Sequence, residues 1–276
     1  MTMLRLLNPE LVTTLKRLRL GGILPTLAER LSLCEKQNMP YQDVLLLLLQ
    51  DEISRRDSGA AARRAQQAGL SPDMVMVRWD KTAKVTYDQR MLQEACSLRF
   101  VADHRNLTIL GPVGVGKTFL AQALSHLCCE AGYNVRFSRA DDLLRSLRQS
   151  RMDNSREALM TTLVTVDVLV LDDFALEPMG REESRDIYQL FVERNGRFST
   201  IVTSNRDTSE WIATFDDTLL AQSAVDRFMN NAFDLIIEGE SYRPRLKPQL
   251  DALGPPPPAP VPKTPTPLRR KSPPRR

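Results

Sequence analysis

Two kinds of hydrophobic spacing divide the chain. Up to about residue 90 the apolar positions follow a helical period: Leu11, Leu15 and Leu18 fall at i, i+4 and i+7. Gly21, Gly22 and Pro25 punctuate the next segment. NMPYQDVLLLLLQDEISRRD (38–57) places Pro40 near a helix start, and its run Val44–Leu49 reads as a buried helix face. SGAAARRAQQAGL continues the helix, whereas 71–89 loses the period and reads as a linker docked on the next domain. Beyond about residue 92, apolar runs at 107–110, 134–138, 166–171 and 200–204 alternate with helical stretches, the pattern of a parallel sheet covered on both faces. The expected organisation is a helical domain over 1–70, a linker over 71–91, an α/β core over 92–250 and a tail over 251–276. The tail, GPPPPAPVPKTPTPLRRKSPPRR after Leu253, is too rich in proline and charge to bury a core. No internal repeat is present.

Composition narrows the functional classes. No apolar run approaches the ~20 residues of a membrane helix, and the amphipathic N-terminus lacks the apolar core of a signal peptide, so a cytoplasmic protein with no membrane partner is expected. Cys34, Cys96, Cys128 and Cys129 have no metal-binding spacing and are expected as reduced, mostly buried thiols. His104 and His126 read as structural. The net charge of +4 conceals an asymmetry. Residues 1–100 carry 15 Lys/Arg against 11 Asp/Glu, 101–242 carry 14 against 22, and 243–276 carry 9 against 1. A polyanion would therefore be gripped by the flanks or by local patches. Arg55, Arg56, Arg63 and Arg64 recur at about two-turn spacing on one helix, either as a solvated basic face or as contacts to nucleic-acid phosphates.

The chemistry concentrates in one loop. GPVGVGKT (Gly111, Pro112, Val113, Gly114, Val115, Gly116, Lys117, Thr118), followed by Phe119, stands between the strand LTIL and an apolar helix and fits G-x-x-x-x-G-K-[ST]. Such a loop turns its N–H groups around a phosphate, with the positive end of the helix behind them. Lys117 is expected to reach the β- and γ-phosphates, and the Thr118 hydroxyl to ligate Mg²⁺. VDVLVLDDFALEP (166–178) ends a strand on Asp172 and Asp173, where ligands of doubly wound sheets gather. One carboxylate can hold the metal and the other can polarise a water. A third strand, STIVTSNRD, ends on Asn205, which can donate and accept beside a γ-phosphate.

These residues carry a resemblance. From about 11 to 247 the chain resembles the IstB-type transposition helper ATPases, kin of the DnaC-type helicase loaders in the AAA+ superfamily. The likeness runs through LRLGGILPTLAERL, YQDVLLLLLQDEISRR, GPVGVGKTFLAQAL, VLVLDDFALEPMGREE, STIVTSNRDTSEW, AVDRFMNNA and GESYR. It implies a P-loop AAA+ three-layer α/β core with a parallel sheet, an all-helical N-terminal domain before it, and little or no C-terminal lid. Only about 45 residues separate Asn205 from Leu250, which agrees. It further implies that Asp172 is the metal-organising acid, Asp173 the catalytic carboxylate, Asn205 a nucleotide sensor, Arg227 an arginine finger offered to a neighbouring subunit, and Arg243 a second sensor. Many AAA+ enzymes carry Glu where Asp173 stands; Asp is usual in this branch.

The expected function is an ATP-dependent assembly factor with ATP and Mg²⁺ as cofactors. It would join subunits into a ring or spiral on duplex DNA and recruit or stimulate a cognate transposase. A replicative helicase loader of the DnaC type shares the core and differs in its partner. A small-molecule kinase would need an acceptor pocket and lid for which no insertion is long enough, and an ATP-binding switch that scarcely hydrolyses differs only in turnover.

Overall fold

The computed structural model describes residues 7–246; the tail expected over 251–276 lies outside the described residues. Residues up to Tyr242 make one compact unit, and a second begins at Arg243 with the short 3₁₀ turn Arg243–Leu246.

Six strands form the sheet: β1 (Val85–Tyr87), β2 (Asn106–Leu110), β3 (Val135–Arg139), β4 (Val168–Asp172), β5 (Ser199–Ser204) and β6 (Ala232–Gly239). Their order is β1-β6-β2-β5-β4-β3, and every pairing is parallel except β1 with β6. β2, β4 and β5 are buried at every position, which is why they read as near-continuous apolar runs. Two strands go beyond the sequence reading. β6, AFDLIIEG, alternates, with Leu235 and Ile237 buried and Asp234 and Ile236 exposed. β1 is three residues long, lies inside the segment read as linker and pairs along the β6 edge.

The helices are α1 (Pro9–Arg17), α2 (Leu24–Lys36), α3 (Tyr41–Gln67), α4 (Gln89–Cys96), α5 (Arg99–Ala102), α6 (Lys117–Glu130), α7 (Ala140–Met152), α8 (Arg156–Thr165), α9 (Arg181–Arg194), α10 (Thr208–Trp211) and α11 (Thr218–Met229). Successive strand residues face opposite sides, so β4 sends Val168 and Val170 to one core and Leu169 and Leu171 to the other. The first core receives Ala65 and Ala68 from the α3 end, Phe100 of α5 and Leu120, Leu124 and Cys128 of α6. The second receives Leu143 and Leu147 of α7, Leu163 of α8, Leu190 and Phe191 of α9 and Phe228 of α11. The three-layer α/β core with a mostly parallel sheet, preceded by helices, is thus present. Each fully buried leucine stabilises it by about 1.5–3 kcal/mol. The four cysteines are free, and burial pushes Cys128 up to about 12 and Cys129 up to about 11, so these thiols stay protonated. Among the described residues no helix is long and apolar enough to cross a membrane.

One expectation needs correcting. Leu45, Leu46 and Leu49 of the run Val44–Leu49 are exposed, as are Tyr41 and Ile53. A six-residue apolar run surrounds a helix at 100° per residue, and α2 with the Gly21–Ile23 turn shields only one side of α3. What fixes α3 here is polar. Arg30 of α2 makes a bidentate pair with Asp51 at 2.8 and 3.1 Å. Arg55 and Arg56 both grip the buried Glu52, and Arg56 also donates to the Arg19 carbonyl.

The Arg55 guanidinium, helped by Arg56, holds the Glu52 carboxyl down to about 2 from its ordinary 4.5. A carboxyl depressed on folding contributes stability that is complete above the unfolded value and is lost as pH falls through the folded one. Glu52→Gln is therefore less stable than the natural chain at pH 7, and the difference shrinks between pH 4.5 and 2. Denaturant midpoints of the two proteins across that range check this; parallel profiles would count against the Arg55–Glu52–Arg56 cluster.

Candidate nucleotide-binding site

The β2–α6 connection, residues 111–116, leaves the carboxyl edge of the sheet beside the ends of β4 and β5. Gly116 caps α6 at φ 102°, and a Cβ there would stand 2.8 Å from the Trp79 ring. Gly111 takes φ 149°, and its Cβ would collide with the Ile237 carbonyl of β6. Glycine is what lets the chain turn this tightly between a strand and a neighbouring side chain.

Lys117 opens α6 and is buried, only 5% exposed. Its ammonium donates to the carbonyls of Gly111 and Pro112, both at 2.8 Å, and to Asn205 Oδ1 at 2.5 Å. The loop lysine and Asn205, at the end of β5, are therefore in contact. Thr118, one residue on, donates from its hydroxyl to both oxygens of Asp172, at 2.9 and 3.0 Å. Asp172 is 2% exposed and also accepts the Thr203 hydroxyl at 2.6 Å. Burial pushes the Asp172 carboxyl above its ordinary value, while the hydroxyls of Thr203 and Thr118 pull against that rise.

Asp173 has left the strand. Its φ is 54°, its N–H donates to Thr203 Oγ1 at 2.9 Å, and its carboxylate meets the Arg139 guanidinium at 3.4 Å. Arg139 ends β3 opposite Asp172 in the register. Beyond Gly116 a cleft of about 80 Å³ is bounded by Trp79, Val115, Phe119 and Tyr242. Trp79 packs against Phe119 at 5.7 Å, and Tyr242 is held on the cleft wall by donating its N–H to the Gly114 carbonyl and its hydroxyl to Asp80.

The other sequence candidates lie elsewhere. Arg227 is exposed in the last turn of α11. The Asn106 side chain donates to the Phe228 carbonyl at 3.1 Å, and the Asn106 N–H donates to the Asn231 carbonyl at 2.7 Å. That end of α11 therefore sits at the start of β2, the edge opposite the loop 111–116. Arg243 belongs to the second unit and is described only as part of its 3₁₀ turn. Of the four arginines on α3, Arg55 and Arg56 bind Glu52, and Arg64 donates to the Cys129 carbonyl at 2.9 Å, stapling α3 to α6. Arg63 is exposed. Trp79, Arg139 and Thr203 escaped the sequence reading. Only Thr203 left a signal, since strand alternation puts it on the same side as Asn205.

The donor set fits a magnesium nucleotide. The buried ammonium of Lys117 is held by the carbonyls of Gly111 and Pro112 and by the amide oxygen of Asn205. A hydroxyl and a carboxylate in contact are the hard oxygen ligands Mg²⁺ takes alongside phosphates, and among the described residues no cluster of His, Cys or acids competes for a metal. Residues 13–250 match the family of IstB-like ATP-binding proteins. The chain belongs to that family. It is 34% identical over 243 residues to an insertion-sequence ATP-binding protein of Mycobacterium tuberculosis, covering 87% of this chain and 96% of that one. It is 32% identical over 244 residues to the ATP-binding protein of insertion sequence IS21 from Pseudomonas aeruginosa, covering 88% and 92%. Among solved structures, the fold is similar to DnaI (TM-score 0.52, 21% identity, covering 61% of this chain and 94% of that one). It is likewise similar to the replication initiator DnaA bound to AMPPCP and single-stranded DNA (TM-score 0.51, 22% identity, 62% and 51%). The protein is accordingly an ATP-binding protein with an α/β fold similar to those two structures.

Lys117→Ala removes the fixed cation of the loop and abolishes ATP binding, read by calorimetry; unchanged affinity would refute this placement of the triphosphate.

Proposed function

We propose that this IstB-like ATPase assembles on duplex DNA in its ATP-bound form and there recruits or stimulates the transposase of an insertion sequence. The names of its relatives support the transposition setting. The observation that carries the assembly is the position of Arg227. An arginine about six to seven ångströms long cannot span β2, which at about 3.3 Å per residue separates it from the loop of its own subunit. A finger at that edge serves the loop of a neighbour, and the subunits stack with the amino edge of one sheet on the carboxyl edge of the next.

In this reading the loop N–H groups and Lys117 hold the phosphates, and the Trp79–Phe119–Tyr242 cleft takes the adenine. Thr118 and Asp172 hold Mg²⁺, which when bound neutralises charge building on the phosphate oxygens. Asp173 polarises the attacking water, Asn205 reports the γ-phosphate through Lys117, and the neighbour's Arg227 steadies the transferring group. Arg243 stands as a second sensor on the resemblance alone. DNA is gripped through phosphates, and of the α3 arginines Arg63 is the one that no described partner occupies.

Asp173→Asn keeps ATP affinity and slows turnover by orders of magnitude; a variant that turns over normally would assign the water to another group. Arg227→Ala binds ATP but hydrolyses it poorly, and mixing it with Lys117→Ala restores part of the activity each lacks. No recovery in a mixture shown by sizing to co-assemble would count against a finger in trans. Pull-down by the cognate transposase, and not by a replicative helicase, separates this role from helicase loading.

A further inference from the structure

Thr203 is fully buried in β5, and its hydroxyl is spent twice. The oxygen accepts the Asp173 N–H at 2.9 Å, and its single proton goes to Asp172 Oδ1 at 2.6 Å. Its main-chain carbonyl accepts the Phe174 N–H at 2.8 Å. One residue of the neighbouring strand thus grips three consecutive residues at the end of β4.

Each grip answers a specific demand. Asp173 takes φ 54°, a left-handed conformation that a non-glycine residue occupies only when its surroundings enforce it. An acceptor fixed on β5 enforces it, and the resulting turn carries the Asp173 carboxylate out of the strand line to the side where Arg139 meets it. Asp172, for its part, has two hydroxyl donors. One belongs to Thr118, which also serves as a metal ligand in the proposed mechanism. The other, from Thr203, binds one carboxylate oxygen alone and so fixes the rotation of the group. A buried threonine whose hydroxyl merely filled its hydrogen-bonding needs would have no reason to join the two acidic residues to each other.

We infer that Thr203 is a positioning residue for ATP hydrolysis, setting the Asp172 carboxylate and the Asp173 backbone together through one hydroxyl. The inference rests on the roles proposed for Asp172 and Asp173. Thr203→Val removes the hydroxyl and keeps the shape; Thr203→Ser keeps the hydroxyl.

In Thr203→Val, ATP affinity without Mg²⁺ stays within about threefold of the natural chain, because Lys117 and the loop are untouched, while kcat falls about 10–100-fold at nearly constant KM. The gain in ATP affinity on adding Mg²⁺, read by calorimetry independently of turnover, shifts to a several-fold higher Mg²⁺ concentration. Thr203→Ser restores both to within about threefold. If Thr203→Val does not fold, Thr203→Ala, which adds no methyl beside the Asp173 amide, carries the same expectation. Natural kcat and Mg²⁺ dependence in the hydroxyl-free variant would overturn the inference, as would Thr203→Ser being as impaired as Thr203→Val. Asp172→Asn and Asp173→Asn are separate controls: if they are slow while Thr203→Val is not, this inference alone fails. If they turn over normally, the assigned roles fail and take it with them.

Discussion

The carboxyl edge of the sheet is organised around one buried carboxylate. Asp172 is nearly inaccessible, and a charge in such a place is tolerated only with donors fixed around it. Those donors are Thr118, from the first turn of α6, and Thr203, from β5. Hydrogen bonds to a charged group contribute about 1.5–3 kcal/mol each. They also tie three elements far apart in sequence to a single point. Lys117 extends the tie to Asn205, so the loop 111–116, the acidic strand end and the polar end of β5 share one network. Shifting any of these strands along its neighbour would leave Asp172 buried without its partners.

The sheet also separates functions by its length. The loop 111–116 leaves the carboxyl end of β2, and the end of α11 is bonded to its amino end. The protein therefore holds the Arg227 cation out of reach of its own loop 111–116. That separation gives a physical reason for the proposed dependence of turnover on assembly, since a lone subunit lacks the second cation that the finger would add to Lys117 where phosphoryl charge develops.

Legibility in the sequence followed the range of the constraint. The loop 111–116 was readable because its demands are local, glycines where the chain turns and a lysine and threonine at the helix start, and Asp172 was readable as the polar end of an apolar strand. β2, β4 and β5 were readable as apolar runs because both faces are covered. β6 was not, because it alternates and one of its sides meets solvent, and three-residue β1 was too short to show any period. Val44–Leu49 misled because an unbroken apolar run looks buried whatever it packs on, and α2 covers only part of it. The α3 arginines looked like a free basic row until Glu52 and the Cys129 carbonyl claimed three of them. Arg139 and Trp79 take their meaning from strand register and from an irregular segment folding back over Gly116, neither of which spacing encodes.

In the proposed function ATP binding is converted into assembly on DNA, and sizing combined with turnover reads that conversion. The natural chain is sized by light scattering with and without ATP and duplex DNA while phosphate release is followed. Small species are expected without nucleotide, large complexes only when ATP and duplex are both present, and hydrolysis that rises with their formation and declines as salt strips phosphate contacts. A protein that hydrolyses ATP at full rate as a monomer, indifferent to DNA, would contradict it.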